Sequence, residues 1–284
     1  MDVDAAAQRA SDFLKLHSAD PNGGPAPLLI PNPWDAGSAR ILASLGYQAL
    51  ATTSGGFAAT LGLLDGSVTR EQALDHAAAI VAATPLPVSA DLENCFAHDP
   101  EGVAETVRLA AATGLAGCSI EDFRAESDNE MYAASHATER VAAAAEAAHA
   151  GPVRLVLTAR ADNYFHGHRD LGDTIARLQL FQDAGADVLY APGITREDEI
   201  RAVVTSVDRP VNALAFPGGP DVATLASLGV RRVSVGSGFA YAAIAGLVAA
   251  AKELLEQGTL DWWQQSMIGM KAAKSAFTRG NEEA

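Results

Sequence analysis

Short apolar runs alternate with alanine-rich stretches of helical spacing along almost the whole chain. Leu45-Gly46-Tyr47, Thr113-Gly114-Leu115, Ala184-Gly185-Ala186 and Leu228-Gly229-Val230 each close a helical stretch and open an apolar run. Glycine just past a helix supplies the left-handed stop residue. The short run after it, apolar on both faces, reads as a fully buried parallel strand. Eight such runs fall at residues 28–31, 49–52, 87–91, 117–121, 154–158, 188–190, 210–212 and 232–235. Helical patterns lie between them, at 100–113, 136–150, 171–184, 196–206 and 220–228. Asp99-Pro100 and Gly219-Pro220 put proline where a first helical turn tolerates it. Eight strand–helix units predict an α/β fold of the closed (β/α)8 barrel type rather than an open doubly wound sheet. No Gly-x-Gly-x-x-Gly follows the first strand, which speaks against a dinucleotide site.

No stretch reads as a domain linker, so residues 1–284 are expected to form a single barrel domain. Residues 1–27 would be an N-terminal helix and a Gly/Pro-rich loop, and 239–284 a C-terminal helical segment. Trp262, Trp263, Met267, Met270 and Phe277 form an apolar stripe on that segment, suited to docking, including onto another subunit. The polar segment 125–135 follows Glu121 directly and fits either a mobile lid over the barrel mouth or an inert surface loop.

Composition narrows the partners. A net charge of −15 repels nucleic acid and anionic membranes, though it also serves solubility. No apolar run long enough to span a bilayer is apparent, and Met1-Asp-Val-Asp-Ala lacks the order of a secretory signal. Two cysteines, Cys95 and Cys118, do not make a disulfide scaffold, and a reduced cytoplasm is expected.

The candidate chemistry gathers where strands end. Asp91 and Glu93 close the third strand, Glu121 the fourth, Arg160 follows the fifth, and Asn212 ends the seventh. Barrel enzymes carry their reactive groups at these ends. Oxygen-only donors without a His or Cys pair suit Mg²⁺, with Mn²⁺ as the other option; solvated acids are the bland alternative. Arg160 offers a planar fork to a substrate carboxylate, or an ion pair to Asp162, Glu121 or Glu93. Ser54-Gly55-Gly56 after the second strand can present a hydroxyl and backbone N–H groups to an anion, or be a plain turn. Trp34, after the first strand, and Asn212 are expected to shape the pocket. His98, His166 and His168 read as polar loop residues, and Cys95 and Cys118 as neutral buried thiols rather than reactive ones.

Taken in this order, Ser54-Gly55-Gly56, Asp65, Asp91-Leu-Glu93, Ile120-Glu121-Asp122, Thr158-Ala-Arg160-Ala-Asp162, Pro210-Val-Asn212 and Val233-Ser-Val-Gly-Ser-Gly238 resemble the isocitrate lyase/phosphoenolpyruvate mutase superfamily. The likeness runs from about residue 31 to 247. It implies a (β/α)8 barrel whose last helix is exchanged between subunits of a homodimer or homotetramer. It also implies Mg²⁺ and a small 2-oxo or 2-hydroxy carboxylate, with a C–C or P–C bond made or broken beside the carbonyl through a metal-stabilised enolate. On that basis Asp91 is the direct metal ligand, and Glu93 and Glu121 hold the metal through water. Asp65 lies beyond the direct ligands, Ser54, Gly55 and Gly56 hold the substrate carboxylate, and Arg160 stands beside the C2 oxygen. Arg160, Asp65 and Glu121 are thus the expected catalytic residues.

The departures select among activities. The Lys-Lys-Cys-Gly-His motif of isocitrate and methylisocitrate lyases is absent, and neither cysteine lies in 125–135. Ser127 stands where mutase-type lids carry lysine, although Asn129 matches their asparagine. Cys95 replaces a family glycine, and Pro192 stands where some relatives have Glu or His. The expectation is a Mg²⁺-dependent C–C lyase or hydrolase. The alternatives are P–C chemistry of the phosphoenolpyruvate mutase or phosphonopyruvate hydrolase type, and a 2-oxo acid binding protein with little turnover.

Overall fold

The computed structural model describes residues 2–17, 26–124 and 130–282, with side chains described up to residue 278. In chain order the elements are α1 (Val3–Leu16), β1 (Leu28–Ile30), α2 (Ala36–Ser44), β2 (Leu50–Ala51), α3 (Ser54–Thr60), α4 (Arg70–Ala83), β3 (Val88–Asp91) and α5 (Pro100–Ala112). Then follow β4 (Gly117–Glu121), β5 (Phe123–Arg124), β6 (Glu130–Met131), α6 (Ala134–His149), β7 (Val156–Arg160), α7 (Leu171–Asp183), β8 (Val188–Tyr190) and α8 (Glu197–Thr205). The chain ends with β9 (Val211–Leu214), α9 (Val222–Ser227), β10 (Arg232–Ser234), α10 (Gly238–Glu256) and α11 (Trp263–Glu282).

Eight strands form one parallel sheet in the order β1-β10-β9-β8-β7-β4-β3-β2. Its two ends meet: the Ala51 N–H donates to the Pro31 carbonyl at 3.1 Å. Asn32 bolts the same seam, donating to the Thr52 carbonyl at 2.9 Å and accepting from the Val235 and Gly236 N–H groups at 3.0 and 2.9 Å. The expected (β/α)8 barrel is therefore the observed architecture. The four predicted stop glycines, Gly46, Gly114, Gly185 and Gly229, all sit at positive φ, between 89° and 106°. Side-chain caps start the helices as their sequences suggest: Asp35 with Ser38 on α2, Thr69 with Gln72 on α4, Asp99 before Pro100 on α5, and Asp170 on α7.

α1 closes the N-terminal end of the barrel. Ala6, Ala10 and Phe13 are buried on its inner face, and buried His17 follows it. The last two helices behave differently. α10 is apolar almost throughout, yet Phe239, Tyr241, Ile244, Leu247, Val248, Leu254 and Leu255 are exposed on it. By length and composition α10 could cross a bilayer, with only 6% of its most apolar window buried. The expectation that the chain holds no such run therefore fails. The sequence conceals it because glycine and alanine dilute the large apolar residues. α11 returns to α2, where the Phe277 ring lies 3.8 Å from the position a Cβ on Gly37 would take.

Two strands differ from their expected places. The seventh barrel strand runs Val211–Leu214, so Asn212 is its second residue rather than its end. The fifth barrel strand runs Val156–Arg160, two residues later than predicted from the apolar run. Arg154 is outside the sheet and pairs with Asp187 at 2.6 Å. Arg160 is instead the last residue of the strand, in register with Glu121.

Candidate active site

The C-terminal ends of the barrel strands surround a cavity of about 520 Å³. Asp91, Arg160, Ser54, Asp65 and Asn212 line it. The sequence-predicted residues thus largely converge, and the local structure explains how. Asp91 ends β3, and its N–H donates to the Thr52 hydroxyl at 2.9 Å. Its carboxylate accepts from the Ser54 hydroxyl at 3.1 Å, the Ser54 N–H at 3.4 Å, the Ser119 hydroxyl at 3.4 Å and the Glu93 N–H at 3.3 Å. Ser54-Gly55-Gly56 is not a free turn but the first turn of α3, capped by Thr53. A Cβ on Gly55 would meet Ser237 Oγ at 2.7 Å and Asp65 Oδ2 at 3.0 Å, so only glycine lets α3 approach those groups.

Arg160 is the hub. Its guanidinium contacts Asp91 at 3.1 Å, Glu121 at 3.1 Å and Asp162 at 2.7 Å. Asp162, fully buried, holds it through a two-pronged fork with Nε at 3.1 Å. Asp162 is itself set by Asp122, whose carboxylate accepts from the Asp162 N–H at 2.8 Å and from Arg177 at 3.0 Å. Both arrangements expected for Arg160, facing the pocket and pairing with acids, therefore coexist. Neighbouring charge raises Arg160 well above its ordinary value against the opposing effect of burial, with Asp162, Glu121 and Asp91 the causes in that order. Burial raises Glu121 well above the carboxylate range; Arg160 opposes this, and Asp162, Asp91 and Glu93 reinforce it. Asp65 is raised by burial and then by Asp91.

Five expected site residues lie off the cavity wall. Gly55 and Gly56 are buried in the first turn of α3, where the Gly56 N–H donates to the Thr53 hydroxyl at 3.3 Å. Glu93 and Glu121 line a small separate recess with Asn94, Phe96 and Phe123. Trp34 is not on the cavity wall: its Cβ backs against Gly56, and its carbonyl accepts from His76 Nε2 at 3.0 Å. The loop after β3 explains the placement of Glu93, since Glu93, Cys95 and Phe96 all take positive φ, 50° to 59°. Arg140 holds that loop by donating to the Asn94 carbonyl and, at 2.9 Å, the Ala97 carbonyl. Cys95 and Cys118 are fully buried, and burial pushes the Cys95 thiol up to about 12, which fits a neutral thiol. Ser127 and Asn129 fall outside the described residues; Glu130–Met131 pair with Phe123–Arg124 as a short antiparallel ribbon.

The donor set bears on the metal. Among the described residues no three His, Cys, Asp or Glu side chains converge on one point, because the Arg160 guanidinium stands between Asp91 and Glu121. One patch of the otherwise largely apolar cavity wall nonetheless offers oxygen donors, from Asp91, Asp65, Ser54 and Ser119. That suits Mg²⁺, which takes one or two carboxylates and keeps its waters, rather than a metal needing a full cage of side chains. Asp91 fits as the protein ligand.

Tyr190, which ends β8, and Arg232 also stand on the cavity wall, and neither was expected there. Tyr190, on β8, lies under Arg160, with the guanidinium carbon 5.4 Å from its ring centre. Arg232, at the start of β10, reaches into the barrel interior and bonds Asn212 and Thr158. The alternation Arg232-Val-Ser234, which points both polar residues the same way, was the available signal.

A family model described as phosphoenolpyruvate phosphomutase matches residues 13–255. The chain belongs to the isocitrate lyase/phosphoenolpyruvate mutase superfamily. Within this superfamily, an uncharacterized protein of Mycobacterium tuberculosis is 34% identical over 226 residues, 79% of this chain and 82% of that one. An oxaloacetate decarboxylase of a Bradyrhizobium species is 29% identical over 213 residues, 71% and 70% of the two chains. A crystal structure from Burkholderia cenocepacia, provisionally named a lyase/mutase, is 51% identical with a TM-score of 0.87 over 92% of both chains. The superfamily's lyases and mutases act on small carboxylates, and this chain is an enzyme of that kind.

Proposed function

We propose that this superfamily member is a Mg²⁺-dependent carbon–carbon lyase or hydrolase acting on a small 2-oxo or 2-hydroxy carboxylate. The observation that carries this reading is one cavity wall on which Asp91, Ser54 and Arg160 meet. Asp91 would hold the metal, with water completing its coordination. The metal would supply Lewis-acid stabilisation of the charge that develops on the C2 oxygen. The Ser54 hydroxyl and the Gly55 N–H would bind the substrate carboxylate. Arg160, held by its fork to Asp162, would face the C2 oxygen without needing to reorganise during reaction. Asp65, which lines the cavity, would exchange a proton with the substrate.

The match to a family model named for a phosphomutase favours P–C chemistry as a second reading. One experiment separates the two. The enzyme is incubated with Mg²⁺ and, in turn, oxaloacetate, 2-methylisocitrate, 2,3-dimethylmalate and phosphonopyruvate, with proton and phosphorus NMR. Cleavage of a carbon acid supports the lyase reading, turnover of phosphonopyruvate alone supports P–C chemistry, and binding without turnover leaves a 2-oxo acid binding protein.

The assembly is part of the same proposal. The exposed apolar residues of α10 and α11, including Leu247 (68%), Leu255 (86%), Ile268 (65%) and Met270 (59%), would be covered by a second copy in a homodimer or homotetramer.

A further inference from the structure

The charges around the cavity do not balance where they should. Arg160 already has three carboxylates on its guanidinium. Arg177 has Asp122 and Asp173, and Arg140 lies in the field of Asp122 and Glu121. Arg232 differs. It is 6% exposed and lines the same cavity as Asp91 and Arg160. Among the described residues no carboxylate lies within 4.0 Å of it. Its partners are neutral: Asn212 Oδ1 at 2.9 Å, Thr158 Oγ1 at 3.0 Å and His17 Nε2 at 3.3 Å. A buried cation held by neutral acceptors alone is costly, and an anion brought beside it removes that cost. The surroundings suit an oxyanion, since Ser234 and Asn212 add a hydroxyl and an amide, joined at 3.0 Å.

The geometry points to Arg232 as the specificity-determining residue of the cavity, forming a floor subsite for a second anionic group at the substrate's far end. This rests on the proposed 2-oxo acid reading for the rim, and extends it. The acid preferred would then be a dianion, its head at Asp91, Ser54 and Arg160 and its terminal carboxylate at Arg232. Burial lowers Arg232 only to about 10, so the guanidinium stays charged at neutral pH.

Calorimetric titration in Mg²⁺ with two matched pairs of ligands tests it. 2-Oxoglutarate and 2-oxopentanoate share the 2-oxo head and chain length and differ in the terminal carboxylate. Succinate and butyrate repeat the comparison without the head. The wild-type enzyme should prefer the dianion of each pair by about tenfold or more, the worth of one charged hydrogen-bonded contact. Arg232→Gln should abolish the preference and leave 2-oxopentanoate affinity within about twofold, whereas Arg232→Lys should keep part of it. A role confined to structure would weaken both members of a pair alike. Equal binding of both members by the wild type overturns the floor subsite, and needs no variant to fold. Binding that depends on the 2-oxo head without this preference leaves the rim reading intact. A dianion preference equal in both pairs, with no gain from the head, upholds the floor subsite while the rim reading falls.

Discussion

His17 offers a pH-dependent test of how the barrel is plugged. Its Nδ1 lies 2.8 Å from the Phe13 carbonyl and its Nε2 lies 3.3 Å from Arg232 Nη1. A carbonyl can only accept and a guanidinium only donate, so the ring carries its proton on Nδ1 and is neutral. Protonation at Nε2 would aim N–H at N–H in a buried site. Burial first, and then Arg232, push His17 down to about 3, against an ordinary 6.5. The unfolded chain binds this proton below pH 6.5 and the folded chain does not, so stability is lost as pH falls through that window. At pH 5 the loss is about 2 kcal/mol relative to pH 8. His17→Gln keeps a donor and an acceptor but cannot titrate. Urea unfolding at pH 8 and pH 5 should therefore show a drop smaller by about 2 kcal/mol in the variant than in the wild type. Equal drops in both proteins would refute the buried neutral imidazole and the account of α1 as a plug.

Other perturbations probe the site and the assembly. Gly55→Ala forces a Cβ against Ser237 and Asp65 and should cost about 1–3 kcal/mol by urea unfolding, with weaker 2-oxo acid binding in calorimetry. Arg160→Gln leaves Asp91, Glu121 and Asp162 without their shared cation; thermal and urea unfolding should register about 3–5 kcal/mol, and 2-oxo acid binding should vanish. The double change Leu247→Glu, Leu255→Glu on the exposed face of α10 should shift sedimentation toward monomer with the barrel's circular dichroism unchanged.

The barrel was legible because parallel strands buried on both faces print themselves as short apolar runs, and because stop glycines punctuate the chain. The convergence of Ser54, Asp91 and Arg160 followed from the rule that successive strand ends share one rim, whereas Asn212 reaches the cavity from near the start of β9. What was hidden has physical causes. The fifth strand slipped by two residues because arginines bound the run at both ends, and only the Asp187 partner shows that Arg154 is the one outside the sheet. Glu93 left the cavity because three residues of one loop, Glu93, Cys95 and Phe96, adopt left-handed backbone that composition does not announce. Trp34 turned away because Gly56 leaves room for it behind α3. Arg232 begins its strand, so its only mark in the sequence is the alternation Arg232-Val-Ser234, and strand ends do not reveal it.

The proposed chemistry turns on Asp91 joining a divalent cation to a 2-oxo acid. Calorimetric titration of 2-oxopentanoate with and without Mg²⁺, on the wild type and on Asp91→Ala, addresses it directly. The wild type should bind the acid at least about tenfold more tightly with Mg²⁺ present, and Asp91→Ala should lose that gain. Mg²⁺-dependent binding that survives in Asp91→Ala would contradict the account.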